Sequence, residues 1–73
     1  MSFFYERLRG LRLDNKIMAK TMAELLKITP RNYQRYERGE IDPPTSKLIT
    51  LADFYNVSTD YLLGRSDNPA RIK

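Results

Sequence analysis

Neither cysteine nor histidine occurs in this 73-residue chain. Their absence excludes disulfide staples, a catalytic thiol, a histidine general base and zinc-finger ligand sets together, so no metal or cofactor is expected. No apolar run approaches the roughly 18 residues that span a bilayer, and the start MSFFYERLRG lacks the apolar stretch of a signal peptide. The expected location is the cytoplasm, with no membrane partner. With only three glycines and four prolines, the chain shows no repeat, no low-complexity segment and no phosphate-cradling glycine loop. Carboxylates paired at a spacing that suggests a cleft are missing too, and a chain this short can hardly enclose a pocket, so an enzyme is not expected. The length allows one domain, with little buried surface to hold it.

What the chain does have is basic charge, unevenly placed. The formal net charge is +4. Residues 1–38 carry nine Lys/Arg against Glu6, Asp14, Glu24 and Glu37, a net of +5, while the remainder carries four against five. A half-domain of that sign favours a polyanionic partner.

Helical period accounts for most of the apolar positions. Phe4, Leu8 and Leu11 recur at i, i+4, i+7 and predict a first helix over about 3–13. DNK reads as a turn, and Met22, Ala23 and Leu26 mark a second helix through MAKTMAELLK. Thr29 followed by Pro30 is a helix start: the threonine oxygen can cap a free amide, and proline fits the first helical position. Gly39 is the matching stop, giving a third helix over about 30–38. GEIDPP is a loop, because consecutive prolines bias the preceding residues away from helical angles. Leu48, Leu51, Ala52 and Tyr55 define a fourth helix over about 45–55. Asn56 turns the chain, Val57 points to the core, and Ser58 caps a short fifth helix TDYLL that Gly64 ends. Nothing reads as a strand. The expected fold is a compact all-α bundle of five helices spanning 1–64, followed by a polar, frayed C-terminal tail over 65–73. The link KIT between the second and third helices is too short for an antiparallel hairpin of useful length. It favours helix-turn-helix geometry over about 19–38, with an ordinary bundle corner as the alternative.

The third helix carries the chemistry. In TPRNYQRYERG, Arg31, Arg35 and Arg38 fall on one face flanked by Asn32 and Gln34, with Tyr33, Tyr36 and Glu37 on the other. The tyrosines are expected in the core. Arginine presents a planar fork to guanine N7 and O6, and glutamine or asparagine can both donate to and accept from adenine, so the outward face suits duplex DNA. A solvated basic face is the bland alternative, weighed against by the lack of any acid at i±4 from Arg31 or Arg35. Free amides at the start of this helix favour a phosphate, and Lys16, Lys20 and Lys27 supply further positive charge. Glu37, on the tyrosine side, is expected to pair with an arginine from another helix.

The residues ITPRNYQRYERG, with PPTSKLITLADFYNVSTDYLLG after them, resemble the Cro and phage-repressor type of helix-turn-helix, the lambda-repressor-like or xenobiotic-response-element family. The resemblance covers about residues 4–64. It implies a five-helix bundle whose third helix enters the major groove of double-stranded DNA. Carried onto this chain, it places Pro30, Arg31, Gln34 and Arg35 toward the bases; Pro30 has no side-chain donor, so Arg31, Gln34 and Arg35 are the expected readers. Asn32, Arg38, Lys20 and Lys27 are expected at the DNA backbone, and Arg12 is the implied partner of Glu37. Four positions depart from the family. Met18 and Ala19 replace the usual capping residue and the backbone-contacting glutamine, and Thr21 stands where a glutamate completes the capping box. That loss costs about 0.5–2 kcal/mol. Lys27 replaces a turn glycine, at about 1 kcal/mol if its φ is positive.

The expected function is a sequence-specific DNA-binding transcriptional regulator, a repressor, binding a near-palindromic operator as a homodimer. Tyr61, Leu62 and Leu63 are the candidate dimer surface, with core packing an equal explanation for Leu62 or Leu63. The alternative is an antitoxin-like protein-interaction module that uses DNA for autoregulation. No small-molecule effector site is evident.

Overall fold

Local capping and punctuation set where the helices begin and end. The computed structural model describes residues 3–70, which form α1 (Phe4–Asp14), α2 (Ala19–Leu26), α3 (Pro30–Glu37), α4 (Thr45–Tyr55) and α5 (Thr59–Leu62). No strand occurs among the described residues. The bundle is all-α and its helix ends fall within one residue of the periodicity for α1, α3, α4 and α5, inside the usual fraying. Thr29 Oγ1 accepts from the Asn32 amide (3.2 Å) and Ser58 Oγ from the Tyr61 amide (3.0 Å), each satisfying a donor that the helix cannot. At the start of α2, Met18 offers no such acceptor.

Left-handed residues end the turns. Lys27 (φ 58°) and Asn56 (φ 55°) close α2 and α4, and Lys16 (φ 56°) lies in the turn before α2. Gly39, at φ 73°, follows α3, and a Cβ there would come within 2.8 Å of Cδ1 of Tyr5. The glycine therefore meets two demands: the backbone angle and the close approach of α1 to the end of α3.

One face of each helix meets at a single core. Leu8 of α1, Met22, Ala23 and Leu26 of α2, Tyr33 and Tyr36 of α3, Leu51 and Ala52 of α4, Val57 and Leu62 are buried together, with Phe4, Leu11, Leu48 and Tyr55 partly buried against them. The two α3 tyrosines meet edge to face, their ring centroids 6.4 Å apart, an arrangement that aromatic quadrupoles favour. Leu62 is 0% exposed. The expectation that it belongs to a dimer surface is therefore corrected: α5 is a single turn, and Leu62 is the side chain that turn drives into the core. Tyr61 and Leu63 are partly exposed. Tyr61 also has the Arg7 guanidinium over its ring, 4.0 Å from the centroid.

The segment after Gly64 is not frayed through residue 70. The Ser58 amide donates to the Pro69 carbonyl (3.1 Å), and Arg7 Nη2 lies 3.3 Å from Asp67 Oδ1. Ser66 and Asn68 side chains accept from the amides of Asn68 and Ala70. Polar composition suggested fraying, but these polar groups make local turns that fold back on α1 and α5. Positions 71–73 of the expected tail lie outside the described residues.

A single carboxylate ties α1 to α3. Arg12 donates from Nε to Glu37 Oε2 (2.7 Å) and from Nη2 to Oε1 (3.0 Å), a bidentate pair, and its Nη1 reaches the Ile17 carbonyl (3.0 Å) in the α1–α2 turn. The Tyr33 hydroxyl donates to Glu37 Oε2 as well. The side chains are only 15% and 8% exposed, so their charges are worth more to each other than a surface pair would be. Burial, then the hydrogen bond to Glu37, pushes the Tyr33 hydroxyl well above the ordinary phenol range. Burial and the Glu37 charge push Tyr55 up to about 12.

Arg12→Ala leaves Glu37 buried with only Tyr33 as a partner. We expect a loss of about 3 kcal/mol or more, lowering the thermal midpoint by about 10 °C or more in a domain of this size. A midpoint within about 2 °C of the parent would show that the pair holds nothing together. Alkaline pH gives a second check. Below the ordinary phenol pKa of 10.0 both tyrosines are neutral whether folded or not; above it the unfolded chain ionises first. Stability should therefore fall as pH rises from 10.0 toward about 12, and Tyr55→Phe should make the decline shallower in a pH series of chemical denaturations.

Candidate nucleic-acid interface

Burial of Tyr33 and Tyr36 decides which way the rest of α3 points. With those rings in the core, Arg31, Asn32, Gln34 and Arg38 are exposed and Arg35 is partly exposed. The arginine face is thus presented to solvent by a helix anchored from behind, in a fixed rotation about its own axis. Thr29 and Pro30 fix where the helix begins, so the first outward side chain is Arg31.

Supporting charge comes from two other elements. Lys20 of α2 and Lys27, which closes that helix, are exposed. Glu24 lies one helical turn after Lys20 and offsets part of its charge. Lys27 does adopt the left-handed angle that its glycine-like position demands. Arg9 of α1 is a basic residue that the sequence did not single out: it lines, with Gln34, Glu37 and Arg38, an open hollow of about 440 Å³. Its period on α1 marks it as an outward residue. What brings it beside α3 is the packing of α1 on α3, of which the Arg12–Glu37 bridge and the Tyr5–Gly39 approach are part and which no local pattern displays.

Glu40 was also missed, and it bears directly on the arginines. Its Oε2 lies 2.6 Å from Arg38 Nε and its Oε1 lies 3.7 Å from Arg35 Nε. The expectation that acids avoid this face holds at i±4 but not beyond the helix end, where the chain reverses at Gly39 and returns an acid to the same side. Arg31 has no ion-pair partner among the described residues. Lys47 has a structural task instead: its Nζ donates to the Leu26 carbonyl (3.1 Å), tying α4 to the last turn of α2. A cation there satisfies a carbonyl that the helix leaves open.

The outward face of α3 carries arginine, asparagine and glutamine side chains. The described residues hold no group of His, Cys, Asp and Glu able to bind a metal ion, and no described helix is long and apolar enough to cross a membrane. What the α3 face offers is a fixed row of planar cationic and amide groups, a geometry suited to base edges and phosphates.

The chain is similar to known proteins in sequence and in fold. It is 41% identical over 66 residues to the HTH-type transcriptional regulator YobD and 44% identical over 62 residues to the HTH-type transcriptional regulator ImmR, both from Bacillus subtilis strain 168. Those matches cover 90% and 85% of this chain but 59% and 49% of the two relatives, so the chain spans about half of their length. Among solved structures, the P22 c2 repressor in complex with a synthetic operator superposes with a TM-score of 0.81 at 26% identity, over 90% of this chain and 100% of that one. Residues 5–67 match the family described as a helix-turn-helix domain. With that match over most of its length, and with phage-repressor structures as its neighbours, the chain belongs to the helix-turn-helix family of the Cro and phage-repressor type.

Proposed function

We propose that this chain is the DNA-binding part of a transcriptional repressor that places α3 in the major groove of an operator. The observation that carries the reading is the burial of Tyr33 and Tyr36, which leaves Arg31, Gln34 and Arg35 facing outward from a capped, rotationally fixed helix. Arg31 and Arg35 read guanine edges and Gln34 an adjacent base; Asn32, Arg38, Lys20 and Lys27 meet the phosphates and set the register. The likeness to a repressor bound to operator DNA supports the same placement. The domain acts by occupancy, as a non-enzymatic cytoplasmic protein.

One copy covers too few base pairs for a selective site, so the functional unit is a twofold homodimer on a near-palindrome. With Leu62 in the core, Tyr61 and Leu63 remain as the α5 candidates for that contact.

Selection from a random DNA pool tests the whole reading: a recovered palindrome with half-sites about one helical turn apart supports it, and recovery of no motif removes it. On the selected site, Arg35→Ala should cost about 1–3 kcal/mol and relax preference at one base pair. Arg38→Ala should weaken all sequences alike and reduce the salt slope by about one. Equal, sequence-independent losses from both would assign Arg35 to the backbone instead. Lys27→Gly relieves the left-handed strain and should raise stability by up to about 1 kcal/mol, while binding weakens for every sequence. Unchanged binding would take Lys27 out of the interface.

A further inference from the structure

Among the described residues Glu40 is the acid that forms ion pairs with Arg35 and Arg38, two arginines given different tasks under the proposed function. Its carboxylate lies 2.6 Å from Nε of Arg38, assigned to phosphate, and 3.7 Å from Nε of Arg35, assigned to a base. The backbone at this point is fixed: the Glu40 amide donates to the Arg35 carbonyl (3.0 Å) across the turn at Gly39. All three side chains are about half exposed, at 41% for Arg35, 55% for Arg38 and 47% for Glu40. Such a pair adds little to folding, and there is no core packing for Glu40 to serve. Its position needs an account in terms of what the arginines do.

We infer that Glu40 is a specificity-determining residue, holding Arg35 away from phosphate and thereby penalising non-operator DNA more than operator DNA. The inference rests on the proposed DNA reading. A guanidinium that reads a base edge meets neutral acceptors, N7 and O6 of guanine, so its charge still gains from a carboxylate beside Nε. A guanidinium that clamps a phosphate already has its anion. Arg38 gives up its Glu40 bond for a phosphate on either duplex; where Arg35 does so too, the carboxylate is left facing the polyanion with neither partner. Base reading is therefore compatible with the Arg35–Glu40 pair, and phosphate clamping is not. Non-operator binding depends on phosphate contacts for essentially all of its strength, so the carboxylate weighs most heavily there. Unlike an acid far from the interface, which repels every duplex to the same degree, Glu40 acts through Arg35.

The test compares affinities for the selected operator and for a scrambled duplex of equal length, across a series of salt concentrations, for the whole chain. Glu40→Gln keeps the side-chain shape and removes the charge. We expect its affinity for the scrambled duplex to rise at least about threefold more than its affinity for the operator, with a steeper salt slope on the scrambled duplex. Glu6→Gln is the charge-matched control: Glu6 is exposed on α1 and makes no ion pair among the described residues, so it should move both duplexes equally. In an Arg35→Ala background the selective effect of Glu40→Gln should disappear. Equal gains on operator and scrambled DNA would overturn the inference while leaving the DNA reading intact, as would a selective effect that survives Arg35→Ala. A parent protein that prefers no sequence would remove the DNA reading and this inference with it. Thermal midpoints of all variants should stay within a few degrees of the parent, since the pair is exposed.

Discussion

The Glu37 carboxylate is the point on which the geometry of the domain depends. It accepts two bonds from Arg12 and one from Tyr33, and Arg12 in turn holds the Ile17 carbonyl. One charged group thus fixes the end of α1, the turn that follows it and the last turn of α3. In a chain whose core consists of a few side chains from each of five short helices, hydrophobic burial is non-directional and would tolerate α3 rotating about its axis. A bidentate bridge does not tolerate it. The rotation of α3 is the property that decides whether arginines or tyrosines face outward, so the same bridge that stabilises the fold also aims the proposed reading face.

Tyr33 and Tyr36 link this constraint to packing. Each supplies a large ring to the core, and Tyr33 keeps its hydroxyl satisfied by the carboxylate that Arg12 neutralises. Phenylalanine would bury the same ring but leave Glu37 one donor short. On the other side, Gly39 lets Tyr5 of α1 approach the end of α3 and lets the chain reverse at a positive φ. That reversal returns Glu40 to the arginine face. The acid beside Arg35 and Arg38 is therefore a consequence of how the helix stops, as much as of which residue follows the glycine.

The helices and the division of α3 into two faces were legible because they rest on short-range rules: 3.6-residue periodicity, a threonine before a proline, a glycine at a stop. The family likeness supplied Arg12 as the partner of Glu37, which lies 25 positions away and has no local signature. Three features escaped for the same physical reason. The Lys47 bond to the Leu26 carbonyl spans 21 positions, Arg9 reaches the α3 hollow only through tertiary packing, and Glu40 crosses a chain reversal that helical arithmetic does not follow past residue 37. Leu62 and Leu63 could not be ranked, because α5 is a single turn and one turn has no period to read. The polar tail misled for a different reason: composition reports solvation, whereas Ser58, Ser66 and Asn68 use their polar groups to turn the chain back.

Capping also divides the labour between α2 and α3 in a way that the sequence alone had blurred. The start of α3 is expected to offer free amides to a phosphate. In the structure it has few to offer: Pro30 has no amide proton, the Asn32 amide is taken by Thr29 Oγ1 and the Tyr33 amide by the Thr29 carbonyl. Only Arg31 remains. At α2 the situation is reversed, because Met18 brings no side-chain acceptor and only the Thr21 and Met22 amides are used, both by its carbonyl. Among the described residues nothing accepts from the amides of Ala19 and Lys20, which have the positive end of the helix dipole behind them. The missing capping box, a cost to stability, thus leaves donors that suit a phosphate. In the proposed complex α2 anchors the backbone and α3 is left to read, and with Pro30 silent that reading rests on the side chains of Arg31, Gln34 and Arg35.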